Sequence, residues 1–330
     1  KIMKPTFKTT ALAILVSLGA TACLSNSDNS PAKPTPVQPQ NSSDAPAITV
    51  ATPEGYNYEE ASKTSNGTKW RTVDLNNTAS DNNPSGSNER FGINIVGSDS
   101  LVAGTLDLND ISGNKLGSHE GKKTINNKEV TYDVVNLPYA SYGMVTTEVE
   151  PDPMVRASES KAHVKYVLYY GGFYLPQSDS VSSGHADSNS SKLITYEGNV
   201  KAMVKDYQGE VITYNKNDGV IKLTLDWTGY DSGLTKEIDF TGEMSSKLLG
   251  RTMKLKNDFI SYQDYHKVRG DVVADNTDIK GKFNLEFYGS DFVGETTIYS
   301  NPRSVNGDLG SIDGKKISSY EAVFGGQRQP

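Results

Sequence analysis

The residues that could carry chemistry in this 330-residue chain are few and lie far apart. The chain has no Gly-rich phosphate loop, no nucleophile elbow and no His-Glu-x-x-His pattern, and its acidic residues are scattered through predicted turns. An active site needs titratable groups that converge in one place. The sequence therefore predicts a protein that is not an enzyme. Its four histidines stand in four different segments without close ligand spacing: His119, His163, His185 and His266.

One of these histidines is a candidate ligand for haem iron, because a histidine on a loop with aromatic residues nearby can bind iron. His119 lies in the segment Gly117–Gly121, whose glycines indicate a flexible loop, whereas His163 and His266 fall inside predicted strands. We therefore predict His119 as the haem ligand, should the chain bind haem directly. We predict no resident cofactor and no metal site.

Two aromatic-rich stretches, Leu137–Val145 and Lys165–Tyr174, favour recognition over catalysis. Tyrosine combines a large apolar face with a hydroxyl group, so exposed and clustered tyrosines are typical of protein-binding surfaces. The alternative is that they fill a core, which is our expectation for Tyr166 and Tyr170, in phase with other apolar residues. The candidates for contact with a partner are Tyr139, Tyr142, Tyr169, Phe173 and Tyr174.

The last third of the chain alternates apolar and polar residues with the period of a half-buried strand. In Gly281–Ser300, for example, Phe283, Leu285 and Phe287 face one way. The same alternation precedes and follows this run, and Asn217–Gly219 reads as a hairpin turn. About eight strands with short polar turns predict an antiparallel meander, and closure into a barrel would bury its apolar face and remove its edges.

These elements resemble the barrel domain of transferrin-binding protein B. The resemblance rests on the order of Tyr196–Val200, of Gly281–Gly289 with the Gly-containing strand after it, and of the closing Ala322–Gln329. The same group of Slam-dependent surface lipoproteins includes proteins that bind haemoglobin, haem or complement factor H. The resemblance implies an all-β chain in which residues 190–330 form an eight-stranded antiparallel β-barrel.

A smaller sheet domain, often called the handle, precedes the barrel in this group. The run Tyr139-Ala-Ser-Tyr142-Gly143 resembles part of such a domain, and the polar stretch Gln177–Ser191 is the boundary we predict. We therefore expect a handle-like β domain at residues 56–180.

The N-terminus has the features of a secretory signal at residues 1–22. Lys4 and Lys8 precede the apolar run Ala11–Leu18, which is shorter than the roughly 20 residues that span a bilayer, and small residues follow it. Cys23 is the only cysteine, which excludes an intramolecular disulfide, and its context resembles the lipobox of bacterial lipoproteins. The resemblance implies palmitate and related lipid attachment at Cys23; the alternative is an ordinary signal peptide with an incidental cysteine.

Residues 23–55 are rich in Pro, Ser and Asn and have few apolar side chains, which predicts a disordered leash. The whole chain has 33 Lys and Arg against 40 Asp and Glu, a net charge of −7. This acidic balance argues against nucleic acid or anionic lipid as the partner, so the membrane is expected to be contacted through the lipid anchor alone.

The leading functional hypothesis is a lipoprotein on the outer-membrane surface that binds a host iron- or haem-carrying protein, of the haemoglobin, haem or transferrin class. By resemblance, its further partners would be a TonB-dependent outer-membrane receptor and a surface lipoprotein translocon. The single handle and barrel are about half of the bilobed transferrin-binding protein B, which favours a partner other than transferrin. The alternative is a lipoprotein that binds complement factor H for immune evasion, and a third hypothesis is an inward-facing structural lipoprotein of the envelope.

Overall fold

The computed structural model of the protein describes residues 50–63, 69–75, 91–96, 104–149, 163–173, 193–226, 239–260, 267–274, 277–301, 303–304 and 306–329. The predicted signal peptide, Cys23, most of the predicted leash and Tyr174 lie outside these ranges. Within the described ranges the chain is almost entirely β-structure, as the sequence predicts.

Two short helices, α1 (Tyr58–Ala61) and α2 (Leu108–Ser112), accompany the strands. The strands are β1 (Thr72–Asp74), β2 (Phe91–Val96), β3 (Thr105–Asp107), β4 (Gly117–Ile125), β5 (Lys128–Asn136), β6 (Ala140–Val149), β7 (His163–Phe173), β8 (Leu193–Lys205), β9 (Val211–Asp226), β10 (Asp239–Ser246), β11 (Arg251–Ile260), β12 (Lys267–Ala274), β13 (Lys280–Tyr288), β14 (Asp291–Tyr299), β15 (Ser311–Ile312), β16 (Lys315–Lys316) and β17 (Ser319–Arg328).

Eight of these strands form a closed antiparallel barrel, in the order β10-β11-β12-β13-β14-β17-β8-β9. The predicted eight-stranded barrel is therefore confirmed. Phe283, Leu285 and Phe287 of β13 are buried in its interior, while Lys282 of the same strand is exposed. Alternation arises because each barrel strand has one face in the core and the other on the outside.

The expected turn at Asn217–Gly219 is wrong, because these residues lie inside β9 as a bulge opposite β8. The actual β8–β9 turn is Asp206–Glu210, where the Asp206 side chain accepts hydrogen bonds from the backbone N–H groups of Gln208 and Glu210. Asp218 is buried and accepts hydrogen bonds from the backbone N–H of Leu248 at 2.7 Å and from the Tyr320 hydroxyl at 2.8 Å. Partners that are distant in the sequence therefore override a local turn signal.

The region before the barrel contains a five-stranded antiparallel sheet in the order β2-β7-β6-β5-β4, which we call the handle sheet. One face packs on the β1–β3 pair and α2, where residues such as Leu106 and Leu108 meet Val145 and Val167. The other face packs on the outer wall of the barrel. There, Tyr142, Met144, Leu168 and Tyr170 are buried with Met203, Tyr288, Val293 and Val323.

Two glycines allow the handle sheet and the barrel wall to approach closely. A Cβ atom on Gly325 of the barrel would lie 2.5 Å from the Tyr142 ring of the handle. Conversely, a Cβ atom on Gly172 of the handle would lie 2.6 Å from the Tyr288 ring of the barrel. In each sheet, therefore, a glycine leaves room for an aromatic ring of the other sheet.

We predict that Gly325→Ala destabilises the protein by about 1–3 kcal/mol, because the added methyl group overlaps the Tyr142 ring in a packed interface. Tyr142→Leu should relieve this overlap, so the double variant should lose less free energy of unfolding than the sum of the two single variants. Urea unfolding of the four proteins measures this coupling, and strictly additive losses would contradict it.

Candidate binding surface

A buried ion pair joins the handle sheet to the barrel. Nζ of Lys201 in β8 lies 2.7 Å from Oδ1 of Asp133 in β5, and their side chains are only 3% and 11% exposed. The Tyr214 hydroxyl of β9 donates a 2.6 Å hydrogen bond to the second carboxylate oxygen of Asp133. Burial lowers the pKa of Lys201, while the neighbouring Asp133 raises it. Removal of either side chain would leave the other charge buried without its partner, which is costly.

A second polar junction ties the handle, the barrel and the described end of the leash together. Oδ2 of Asp291 in β14 accepts a 2.6 Å hydrogen bond from the backbone N–H of Tyr139, and its Oδ1 accepts one from Nε2 of Gln327 at 3.2 Å. The Gln327 amide also binds both backbone groups of Ala51, at 2.7 and 3.0 Å. Burial raises the pKa of Asp291 to about 7, although these hydrogen bonds, the Ser290 hydroxyl and the charge of Arg71 oppose the rise.

Arg71 is a structural residue that no sequence pattern singles out. Its buried guanidinium donates hydrogen bonds to the carbonyl oxygens of Leu137 at 2.8 Å and Pro138 at 2.5 Å. The same group lies 4.4 Å from the Trp70 ring and 4.6 Å from the Tyr58 ring. Arg71 therefore holds the β5–β6 connection in the position from which the Tyr139 N–H reaches Asp291.

For most of the aromatic residues predicted to contact a partner, the structure contradicts the predicted exposure. Tyr142 and Tyr169 are fully buried, on opposite faces of the handle sheet, and Phe173 is buried against Trp70. Their rings contribute to packing because both faces of this sheet are covered. Tyr139 is half-buried at the Asp291 junction, with its ring edge-on to Tyr56. Tyr174 lies outside the described residues.

His119 also differs from its predicted setting, because it lies within the edge strand β4 and not in a loop. Its ring is half-buried, and Nε2 lies 3.0 Å from the carbonyl oxygen of Lys115, which leaves Nδ1 as the nitrogen for any iron. Among the described residues, no group of three His, Cys, Asp or Glu side chains could hold a metal ion. The haem role of His119 stays a prediction.

Two tyrosines that the sequence analysis did not select are the most exposed aromatic residues among those described. Tyr299 at the end of β14 is 66% exposed, and Tyr207 in the β8–β9 turn is 52% exposed. They lie at the same end of the barrel, because Tyr299 pairs with Ser319 of β17 and Ser319 pairs with Lys205 of β8. The outward phase of β14 would have identified Tyr299, since Ile298 beside it faces the core.

We call the end of the barrel that carries these two tyrosines the turn end. Lys315 of β16 approaches Asp206 and Glu210 there, at 3.9 and 4.0 Å. The backbone N–H of Ser318 donates to the carbonyl oxygen of Lys205 at 2.7 Å, which fixes the long β14–β17 connection beside the β8–β9 turn. The turn end therefore presents tyrosines on an ordered backbone, and it is the candidate binding surface.

Comparison with known proteins gives structural relatives only. No protein-family model matches the chain, and no curated protein matches it. Its similar solved structures include intact Ap-TbpB with N and C lobes, at 15% identity over 64% of this chain and 38% of that chain, with a TM-score of 0.40. Isotype 1 transferrin-binding protein B from serogroup B Neisseria meningitidis has 16% identity over 70% of this chain and 39% of that chain, with a TM-score of 0.40.

A mutant of transferrin-binding protein B from Haemophilus parasuis Hp5 has 16% identity over 72% of this chain and 40% of that chain, with a TM-score of 0.37. The chain thus spans about two fifths of the length of each of these three proteins. The fold assignment rests on the strand pairing of this chain itself. No helix in its described part is long and apolar enough to cross a membrane.

Removing two tyrosine hydroxyls should have opposite effects on stability. Within the described part of the chain the buried Tyr142 hydroxyl has no hydrogen-bond partner, whereas the Tyr169 hydroxyl lies 3.0 Å from Oγ of Ser141. We predict that Tyr142→Phe raises the free energy of unfolding by about 1 kcal/mol and that Tyr169→Phe lowers it by about as much. Urea unfolding of both variants checks the signs, and a loss in Tyr142→Phe would contradict the assignment.

The buried carboxyl group of Asp291 should make stability depend on pH. Its pKa is raised from 3.8 to about 7, so the folded state keeps a proton that the unfolded chain releases between these values. This contribution is complete below pH 3.8 and is lost as the pH rises through 7, with a slope of at most about 1.4 kcal/mol per pH unit. Urea unfolding from pH 4.5 to 8 should show this slope in the wild type and not in Asp291→Asn. Parallel curves would show that Asp291 does not titrate.

Proposed function

We propose that this protein is a lipid-anchored binding protein on the outer-membrane surface, which captures a host protein that carries iron or haem and performs no catalysis. The observation that carries the proposal is a closed barrel with a handle sheet fixed to its wall and with tyrosines exposed at the turn end. The sequence resemblance of residues 190–329 to the barrel of transferrin-binding protein B supports it. The lipobox-like setting of Cys23 supports the anchor.

Recognition by such a protein requires a surface that loses little conformational freedom on binding. The barrel closes on itself, and the handle is held by the Lys201–Asp133 pair and by the Asp291 junction. Tyr207 and Tyr299 add large contact areas with few rotatable bonds at the turn end. Affinity would therefore come from side chains displayed on a fixed scaffold.

The same proposal includes the delivery of cargo to a TonB-dependent receptor and export by a surface lipoprotein translocon. Its support is the sequence resemblance. The partner we propose is a host protein of the haemoglobin, haem or transferrin class.

Capture from host fluids tests the function directly. The chain carrying Cys23→Ala, immobilised on beads, should retain an iron- or haem-carrying protein from serum or red-cell lysate. Tyr207→Ser with Tyr299→Ser should reduce retention at least about tenfold, because exposed tyrosines are common hot spots and 1.4 kcal/mol corresponds to that factor. Val164→Ser is the matched control, since it removes another exposed apolar side chain, on the handle, and should leave retention unchanged.

Other results would overturn the proposal in recognisable ways. Retention of factor H and of no iron or haem protein would support the immune-evasion alternative. Resistance of the chain to protease added to intact cells, with digestion only after lysis, would support an inward-facing structural lipoprotein.

A further inference from the structure

Charge is distributed unevenly around the barrel. Strands β11, β12 and β13 contain seven Lys or Arg residues and three Asp or Glu residues. The other five barrel strands contain five Lys or Arg and eight Asp or Glu. The chain as a whole has a net charge of −7, so this part of the wall is basic against an acidic background.

The cationic side chains lie side by side on the outside of the wall. Lys254, Val273 and Lys280 are lateral neighbours on β11, β12 and β13. One row further along the strands, Lys256 and Lys282 flank Asp271 in the same way. The four lysines are all exposed. Each lies next to a residue of the same chain segment that points into the barrel core.

The wall also contains ion pairs. Lys282 lies 2.6 Å from Asp271, and Lys267 lies 3.5 Å from Glu286. The Lys282 side chain is nevertheless 70% exposed, and Glu286 is almost fully buried. Across the β10–β11 pairing, Glu243 lies beside Lys254, so among these described neighbours the four exposed lysines outnumber the carboxylates Asp271 and Glu243.

The handle sheet covers β13 only at its Tyr288 end, and the four exposed lysines lie outside the described apolar contact. The described apolar residues that the barrel contributes to the contact come from β8, β9, β13, β14 and β17, including Met203, Tyr288, Val293 and Val323. Tyr299 lies beside Lys280 across the antiparallel β13–β14 pairing, because the adjacent pair in the register is Gly281 with Ile298. A largely exposed aromatic ring thus adjoins the row of lysines.

We propose that the outward side chains of Lys254, Lys256, Lys280, Lys282 and Tyr299, together the basic wall, dock an acidic face of the captured host protein. This inference rests on the proposed function and extends its binding surface from the turn end along the barrel. Complementary charge accelerates encounter and selects orientation, while the ring supplies apolar contact of the kind enriched in protein interfaces. The net negative charge of the rest of the chain opposes approach to an anionic membrane, which favours a protein partner over lipid.

A charge-reversal series tests the basic wall with a defined probe, immobilised poly-L-glutamate. The full chain with Cys23→Ala should be retained at low salt and released as salt rises, because exposed charges are screened. Lys254→Glu with Lys256→Glu and Lys280→Glu should reduce retention at least about tenfold. Lys115→Glu with Lys122→Glu and Lys128→Glu changes the net charge equally at exposed positions outside the barrel and should retain binding. Equal unfolding midpoints would show that both triple variants are folded.

The outcomes separate this inference from the proposed function. Equal retention of the two triple variants, or stronger binding of the wild type to phosphatidylglycerol vesicles than to poly-L-glutamate, would overturn the basic wall as a protein-docking surface. Capture of a host iron or haem protein that reversal of the basic wall leaves unchanged would overturn the inference alone. Wall-dependent retention on poly-L-glutamate, with no host protein captured, would support the basic wall and overturn the proposed function.

Discussion

The rest of the structure depends on the contact between the handle sheet and the outer wall of the barrel. Alone, the barrel would expose Val293 and Val323 to water, and burial of such apolar area is worth about 25 cal/mol per Å². Two twisted sheets fit poorly unless side chains interdigitate, and the paired glycine and tyrosine contacts provide that fit. The Lys201–Asp133 pair then fixes one position, because sliding would separate buried charges.

This contact determines which residues remain for recognition. The tyrosine-rich runs of β6 and β7 are largely buried, because the handle sheet packs against a core on each side. Recognition must therefore use side chains that neither core requires. Under the proposed function, those side chains are Tyr207, Tyr299 and the basic wall, on the outside of the barrel. That proposal assigns structure and binding to different parts of the chain, which would allow the binding surface to vary without loss of the fold.

The sequence predicts the barrel well because its strands keep one face in the core. The alternation of Phe283, Leu285 and Phe287 is a local signal of that arrangement. In β7 both faces are covered, so Tyr169 and Tyr170 are buried together and alternation carries no information about exposure. The bulge at Asn217–Gly219 and the lateral rows of the basic wall are set by neighbours on other strands. Such neighbours are distant in sequence, so no local pattern reveals them.

The hydrogen bonds between the Gln327 side chain and the Ala51 backbone have a mechanical consequence. Tension drawn through the residues before Ala51 would act first on the packing of Val50 and on two hydrogen bonds to a single amide side chain of β17. These bonds are weaker together than the ladders on either side of β17, which join it to β14 and β8 along their whole length. A pull from a tether would therefore peel away the segment that begins at Ala51 while the sheet stays closed. The protein could extend under load without unfolding its barrel.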